Sequence, residues 1–155
     1  MNDRNLLQRA IKIAEEGIID GNGPFGAVIT RGGKIIAEAV NKVVLSVDPT
    51  AHAEILAIRR ASEVMKTHNL ADCVIYASCE PCPMCLGAIY WSGIRKVVYA
   101  SDRNEAAASG FSDSQIYNEI ALDPAKRKIM FIRHNDAGGE EVFRKWDKFE
   151  NRIPY

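Results

Sequence analysis

Apolar side chains recur at helical spacing near the start of the chain. Leu6, Leu7, Ala10, Ile11, Ala14 and Ile18 fall on one side and Arg9, Glu15 and Glu16 on the other, which predicts an amphipathic helix over residues 3–18. Gly21-Asn22-Gly23-Pro24 stops it. Phe25–Ile29 and Ile35–Val40 are β-prone apolar runs joined by Arg31-Gly32-Gly33-Lys34, the pattern of a hairpin. Asn41 closes the second strand, and residues 42–47 form a connection. Asp48 is expected to cap a helix running from Pro49 to about Met65, with Ile55, Ile58 and Ala61 or Ser62 inward. Residues 66–72 are polar enough for a loop. Val74–Ala77 then reads as a short strand, Cys82–Trp91 as a helix and Lys96–Ala100 as a strand. Such a β-α-β unit is normally parallel and right-handed, and an open sheet of this kind carries its site at the carboxyl ends of the strands.

After Ser101 the pattern weakens. Asp102–Ser109 is small and polar, Gly110-Phe111-Ser112-Asp113 reads as a loop and Ser114–Ile120 as a short helix. Ile129–Ile132 predicts a fifth strand. Beyond Gly138-Gly139, a last helix from Glu140 to about Asn151 would present Val142, Phe143, Trp146 and Phe149 on one side, followed by the apolar tail Ile153-Pro154-Tyr155. No internal repeat interrupts the order, and 155 residues with 47% hydrophobic content suit a single domain, 1–155, with one substantial core.

Twenty basic and twenty acidic side chains leave no overall field to attract polyanions, so nucleic acid is not the expected partner. There is no leader-like apolar start and no stretch as long as a membrane span, which predicts a cytoplasmic protein without a membrane partner. In such a compartment four cysteines, three of them at 79, 82 and 85, are better read as metal ligands than as disulfides.

The chemistry concentrates in His52-Ala53-Glu54 and Pro81-Cys82-Pro83-Met84-Cys85. His52, Cys82 and Cys85 are three zinc ligands that leave a tetrahedral ion one open position, the mark of a catalytic rather than a structural site. Residues two apart in a helix point about 200° away from each other, at roughly 3.6 residues per turn, so His52 and Glu54 can converge only at a helix end. The prolines likewise place Cys82 at the opening of the next helix. Two helix N-termini aimed at one point favour thiolates and a bound hydroxide. One zinc with two thiolates is electrically neutral and a muted Lewis acid, so a nearby proton acceptor is needed, and Glu54 fits. The competing reading is a closed structural site with Cys79 or Glu54 as fourth ligand, since Cys79-x-x-Cys82 is itself a ligand spacing. Cys73 reads as packing, and His68 and His134 as ordinary surface histidines.

With these motifs the chain resembles the cytidine deaminase-like superfamily. The shared layer is Asn41, Asp48-Pro49-Thr50-Ala51-His52-Ala53-Glu54 and Pro-Cys-x-x-Cys. A narrower layer resembles the short bacterial guanine deaminases: Gly23-Pro24-Phe25-Gly26-Ala27-Val28, Glu80 through Trp91, Gly110-Phe111-Ser112-Asp113-Ser114 and a terminal tyrosine. The resemblance implies an α/β fold, a three-layer α-β-α sandwich around a five-stranded mixed sheet. It implies one zinc per subunit and hydrolysis of guanine at C2 to xanthine and ammonia, with Glu54 as proton shuttle. Phe25, Asn41, Ala53, Trp91, Asp113 and Tyr155 are the implied substrate contacts, Asp113 also assisting proton transfer. Ser112 departs from the family, where an acidic residue is common. A homodimer in which a C-terminal segment of about 135–155 is exchanged between subunits is implied as well. Other free bases such as cytosine or ammeline, a tRNA adenosine substrate, and a catalytically silent zinc module are the competing functions.

Overall fold

The computed structural model describes residues 2–154. Residues 1–113 and 114–155 form two compact units. In the first, α1 (Asp3–Ile19) leads to the hairpin β1 (Gly26–Arg31) and β2 (Lys34–Val40). The short α2 (Val43–Ser46), α3 (Ala53–Met65), β3 (Cys73–Cys79), α4 (Pro83–Trp91), β4 (Lys96–Ser101) and α5 (Arg103–Ala108) follow.

The strands form one sheet in the order β2-β1-β3-β4. β1 is antiparallel to both β2 and β3, whereas β3 and β4 are parallel, as the crossover through α4 predicts. Period-two alternation builds three layers from this sheet. Val28 and Tyr76 face α1 and pack with Leu6, Ala10 and Ile13. Their neighbours Ala27, Ile29 and Ile75 face the other way, onto Ala53, Ala57 and Ala61 of α3 and Ile89 of α4. The run of alanines lets α3 lie close to the sheet, and that closeness holds the first turn of α3 over the end of β3. Tyr76 also donates its hydroxyl to Asp3 at 2.7 Å, and Lys96 pairs with the same carboxylate at 2.6 Å, so the first turn of α1 is fastened to β3 and β4.

Several expectations are corrected. The sheet has four strands, not five: residues 129–132 form no ladder among the described residues, and Ile129, Met130, Phe131 and Ile132 are exposed. An apolar run of four residues does not by itself specify a strand, and without a neighbouring strand to pair with it stays irregular. The buried stripe of α1 is Leu6, Ala10, Ile13, Ala14 and Gly17, so Ile18 lies outside it and is exposed. Asp48 and Pro49 do not open α3. Asp48 accepts from the Thr50 backbone N–H at 2.8 Å and from its hydroxyl at 2.7 Å, a local turn that competes with helix formation, and the helix starts at Ala53.

The second unit contains α6 (Ser114–Ile120), a 3₁₀ turn (Pro124–Lys126) and α7 (Gly139–Lys148). On α7, Val142, Phe143 and Trp146 share one face and are exposed, as is Phe149 just beyond it. Among the described residues no helix is long and apolar enough to cross a membrane.

Candidate zinc and base site

Two helix starts meet at one place. His52 is the N-cap of α3 and Glu54 is the second residue of that helix. Cys82 is the N-cap of α4, with Pro83 at its first position and Cys85 following within the first turn. A cap residue has extended backbone, which frees His52 from the helical 200° separation and lets it share a cavity with Glu54. The convergence expected from the sequence is present, with His52 as the cap in place of Asp48.

His52 Nδ1 lies 3.5 Å from Sγ of Cys82 and 3.5 Å from Sγ of Cys85. Zinc bonds of about 2.3 Å to sulfur and about 2.0–2.1 Å to nitrogen, at a tetrahedral angle, require an N···S separation of about 3.6 Å. All three ligand atoms fall within 4.8 Å of one another. The residues therefore fit a zinc ion, held by His52, Cys82 and Cys85 with one position left over.

The electrostatics agree. Cys82 is held as a thiolate, its pKa lowered to about 4, by the Cys85 thiol donating to it and by His52. That thiolate in turn pushes the Cys85 thiol up, as does burial, while the bond to Cys82 raises His52. One proton is thus contested between two sulfurs, and a divalent cation resolves the contest by letting both ionise. Glu54 is buried, and burial first, then the Cys82 thiolate, raises its carboxyl. A carboxyl raised in this way holds its proton more firmly than a free carboxylate, which suits a group that takes and returns a proton. Cys79 stands outside the ligand cluster: its thiol donates to the Asp102 carbonyl at 3.7 Å, and burial pushes it up to about 11.

The metal ligands open into a cavity lined by Phe25, Glu54, Glu80, Arg103, Phe111 and Asp113 among others. Asp113 sits at its wall with its carboxyl raised, chiefly by burial and then by the Cys82 thiolate, while Arg103 opposes the shift. Asn41 follows directly on β2, is buried, and accepts from the Val43 N–H through Oδ1 at 3.2 Å, which leaves its amide NH2 as the donor. Ala53 is fully buried between His52 and Glu54. Trp91, at the end of α4, is 71% exposed and is not in the cavity wall, and Tyr155 lies outside the described residues.

Phe111 and α5 are what the sequence reading missed as parts of the site. Asp102 and Glu105 form a reciprocal capping box at the start of α5. At its other end Gly110 takes φ +91, with the Gly110 N–H on Ala107 O and the Phe111 N–H on Ala106 O, both at 3.0 Å. This is a Schellman motif, and it folds Phe111 back over Ala106. The ring then meets Phe25 edge to face, centroids 5.0 Å apart. Asp-x-x-Glu before Ala-Ala-Ala, closed by Ser-Gly, was the signal available in the sequence.

Residues 1–101 match the family described as the cytidine and deoxycytidylate deaminase zinc-binding region. Guanine deaminase of Bacillus subtilis (strain 168) is 48% identical over 156 residues, which is 100% of each chain. The X-ray structure of guanine deaminase from Bacillus subtilis superposes with a TM-score of 0.97, at 48% identity, over 100% of this chain and 99% of that one. A guanine deaminase from Nitrosomonas europaea superposes with a TM-score of 0.67 at 30% identity, over 88% of this chain and 70% of its own. The tRNA-specific adenosine deaminase of Aquifex aeolicus is 40% identical over 101 residues, 65% of this chain and 67% of its own.

Proposed function

The chain belongs to the zinc-binding cytidine and deoxycytidylate deaminase family, and we infer that its reaction is the hydrolysis of free guanine to xanthine and ammonia. The observation that carries this reading is the 48% identity to a guanine deaminase over the whole chain, including residues 102–155 beyond the family match.

Zinc held by His52, Cys82 and Cys85 supplies Lewis acidity toward water. Glu54 takes the proton from the attacking water and passes it to the ring nitrogen beside C2. A C–O bond forms at C2; Glu54 then takes the remaining proton from the new C2 hydroxyl and gives it to the exocyclic amine, whose bond to C2 breaks, so that ammonia leaves and a carbonyl remains. The Asn41 amide donates to an acceptor on the base edge, and Asp113 accepts from an N–H. Phe25 and Phe111 hold the purine plane, a sequence-tolerant contact that aromatic rings make with any base. Glu54, Glu80 and Asp113 outnumber Arg103 in the cavity wall. That balance suits the N–H groups of a free base better than a phosphate backbone, and the zero net charge points the same way. Trp91 and Tyr155 are the remaining contacts that the resemblance implies; Trp91 is exposed and outside the cavity wall of this chain, so its contact would need the second subunit.

The whole chain acts as one deaminase domain of a cytoplasmic homodimer that exchanges its C-terminal segment, about 135–155. The exposed apolar face of α7 supports a subunit partner there.

Ammonia release from guanine, adenine, cytosine, guanosine and a tRNA anticodon stem-loop tests the reading. Turnover of guanine above all others is expected. Release from another free base would keep the reaction class and discard guanine, and preferred turnover of the stem-loop would make the chain a tRNA deaminase.

A further inference from the structure

The loop before β1 touches the substrate-contact residues through an atom that is missing. A β-carbon at Gly23 would lie 3.2 Å from Asn41 Oδ1, 3.3 Å from Asn41 Cγ and 3.5 Å from Phe25 Cδ2. The last is ordinary contact, but the first two are tighter than side chains accept without moving. Asn41 has little freedom to move. It is 6% exposed, its Oδ1 holds the Val43 N–H at 3.2 Å, and its backbone N–H donates to Phe25 O at 2.9 Å. Phe25 is tied to the same loop, its N–H on Gly23 O at 2.9 Å. Gly23 has no left-handed backbone that would demand glycine for its own sake. What glycine provides here is the notch in which the Asn41 carboxamide rests beside the Phe25 ring.

We propose that Gly23 is a positioning residue for the deaminase site: the absence of a side chain there sets the Asn41 carboxamide at the base edge, so residue 23 governs how tightly the base is held. This rests on the reading of Asn41 as a base contact in guanine hydrolysis. The three atoms nearest a β-carbon at Gly23 all belong to Asn41 and Phe25, and Gly23 is not in the cavity wall with His52, Glu54 and Cys82, so its effect falls on binding rather than on proton transfer. A methyl group in the notch pushes the carboxamide by a few tenths of an ångström, enough to spoil one hydrogen bond to the base. Such a bond is worth about tenfold in affinity.

The test is a double-mutant cycle of Gly23→Ala and Asn41→Ala in the zinc-loaded protein, read as KM and kcat for guanine. In the Asn41 background, Gly23→Ala is expected to raise KM about tenfold with kcat within about twofold and zinc content unchanged. In the Asn41→Ala background, where the notch has room, it is expected to change nothing. An equal rise in both backgrounds, or no rise in either, overturns the proposal. Stability supplies a second readout: Gly23→Ala should lower the thermal midpoint only when Asn41 is present. If the single variant cannot be obtained folded while the double variant can, the clash is with Asn41 as proposed; if neither folds, it lies elsewhere and the proposal fails. A parent protein that does not turn over guanine refutes the functional reading instead, and the midpoint comparison still tests the contact.

Discussion

Replacing Glu54 by Gln removes one proton acceptor and almost nothing else. The side chain is 8% exposed at the second position of α3, the amide has the same shape, and so no cavity is created. Two effects of opposite sign follow. Proton transfer by a positioned carboxylate contributes about 10²–10⁴ in rate, or about 2.7–5.4 kcal/mol of transition-state stabilisation at about 1.36 kcal/mol per decade. The variant should lose that much kcat with zinc still bound. Folding goes the other way. Burial raises the Glu54 carboxyl above the ordinary value of 4.5, so above that pH the unfolded chain has given up a proton that the folded metal-free protein retains. The carboxyl therefore costs stability increasingly as pH rises from 4.5 toward its raised value, and Gln does not. Metal-free Glu54→Gln should melt at or above the metal-free parent at pH 7. The assays are xanthine formation by absorbance, zinc by mass spectrometry and thermal melts with and without chelator. Activity within tenfold of the parent would remove Glu54 from proton transfer, and loss of zinc along with activity would make it a ligand.

Cys82→Ala should abolish stoichiometric zinc binding. The parent, with free zinc at about a thousand times its Kd, gains about 4.1 kcal/mol from the metal, so chelator should lower its melting point while leaving the variant unmoved. Phe111→Ala removes one aromatic wall while leaving the ligands in place. Its KM for guanine should rise between about 5-fold and 150-fold, following a base-stacking contribution of about 1–3 kcal/mol, with unchanged zinc content. Unaltered KM would place the base away from the Phe25–Phe111 corner. Arg9 holds Glu38 through two bonds of 2.8 and 2.7 Å, fastening α1 to β2, and keeps that carboxyl below its ordinary 4.5. Because the two side chains remain 38% and 29% exposed, Arg9→Ala should cost only about 0.5–1 kcal/mol in denaturant melts. That loss should be full above pH 4.5 and vanish as pH falls through the lowered value of Glu38, and a loss that persists in acid would assign it to packing.

Elements that carried their own chemistry were legible in the sequence. The Gly32-Gly33 hairpin, the crossover from β3 through α4 to β4, and the meeting of His52 with Cys82 and Cys85 all follow from local periodicity, turn residues and ligand spacing. Where two local rules competed, the sequence was ambiguous. Asp48 could cap a helix or close a turn on Thr50, and the turn prevailed because its side chain found the Thr50 N–H and hydroxyl together. In α1 the apolar stripe was wide enough to be read one step around, and packing against Val28 and Tyr76 selected Ile13 over Ile18. Phe111 escaped notice because its role depends on a helix of alanines with no apolar periodicity, closed by a glycine whose φ of +91 appears only once the chain is folded. Residues 129–132 look like a strand in isolation, but a strand is a property of a pair.

One zinc per chain, held by His52, Cys82 and Cys85, turns this cavity into a guanine deaminase. Metal-stripped protein titrated with zinc, with the initial rate of xanthine formation from guanine followed at each addition, tests it directly. The rate should climb linearly from near zero and level off at one zinc per chain. Full activity in the stripped protein, or no xanthine at any zinc level, would contradict it.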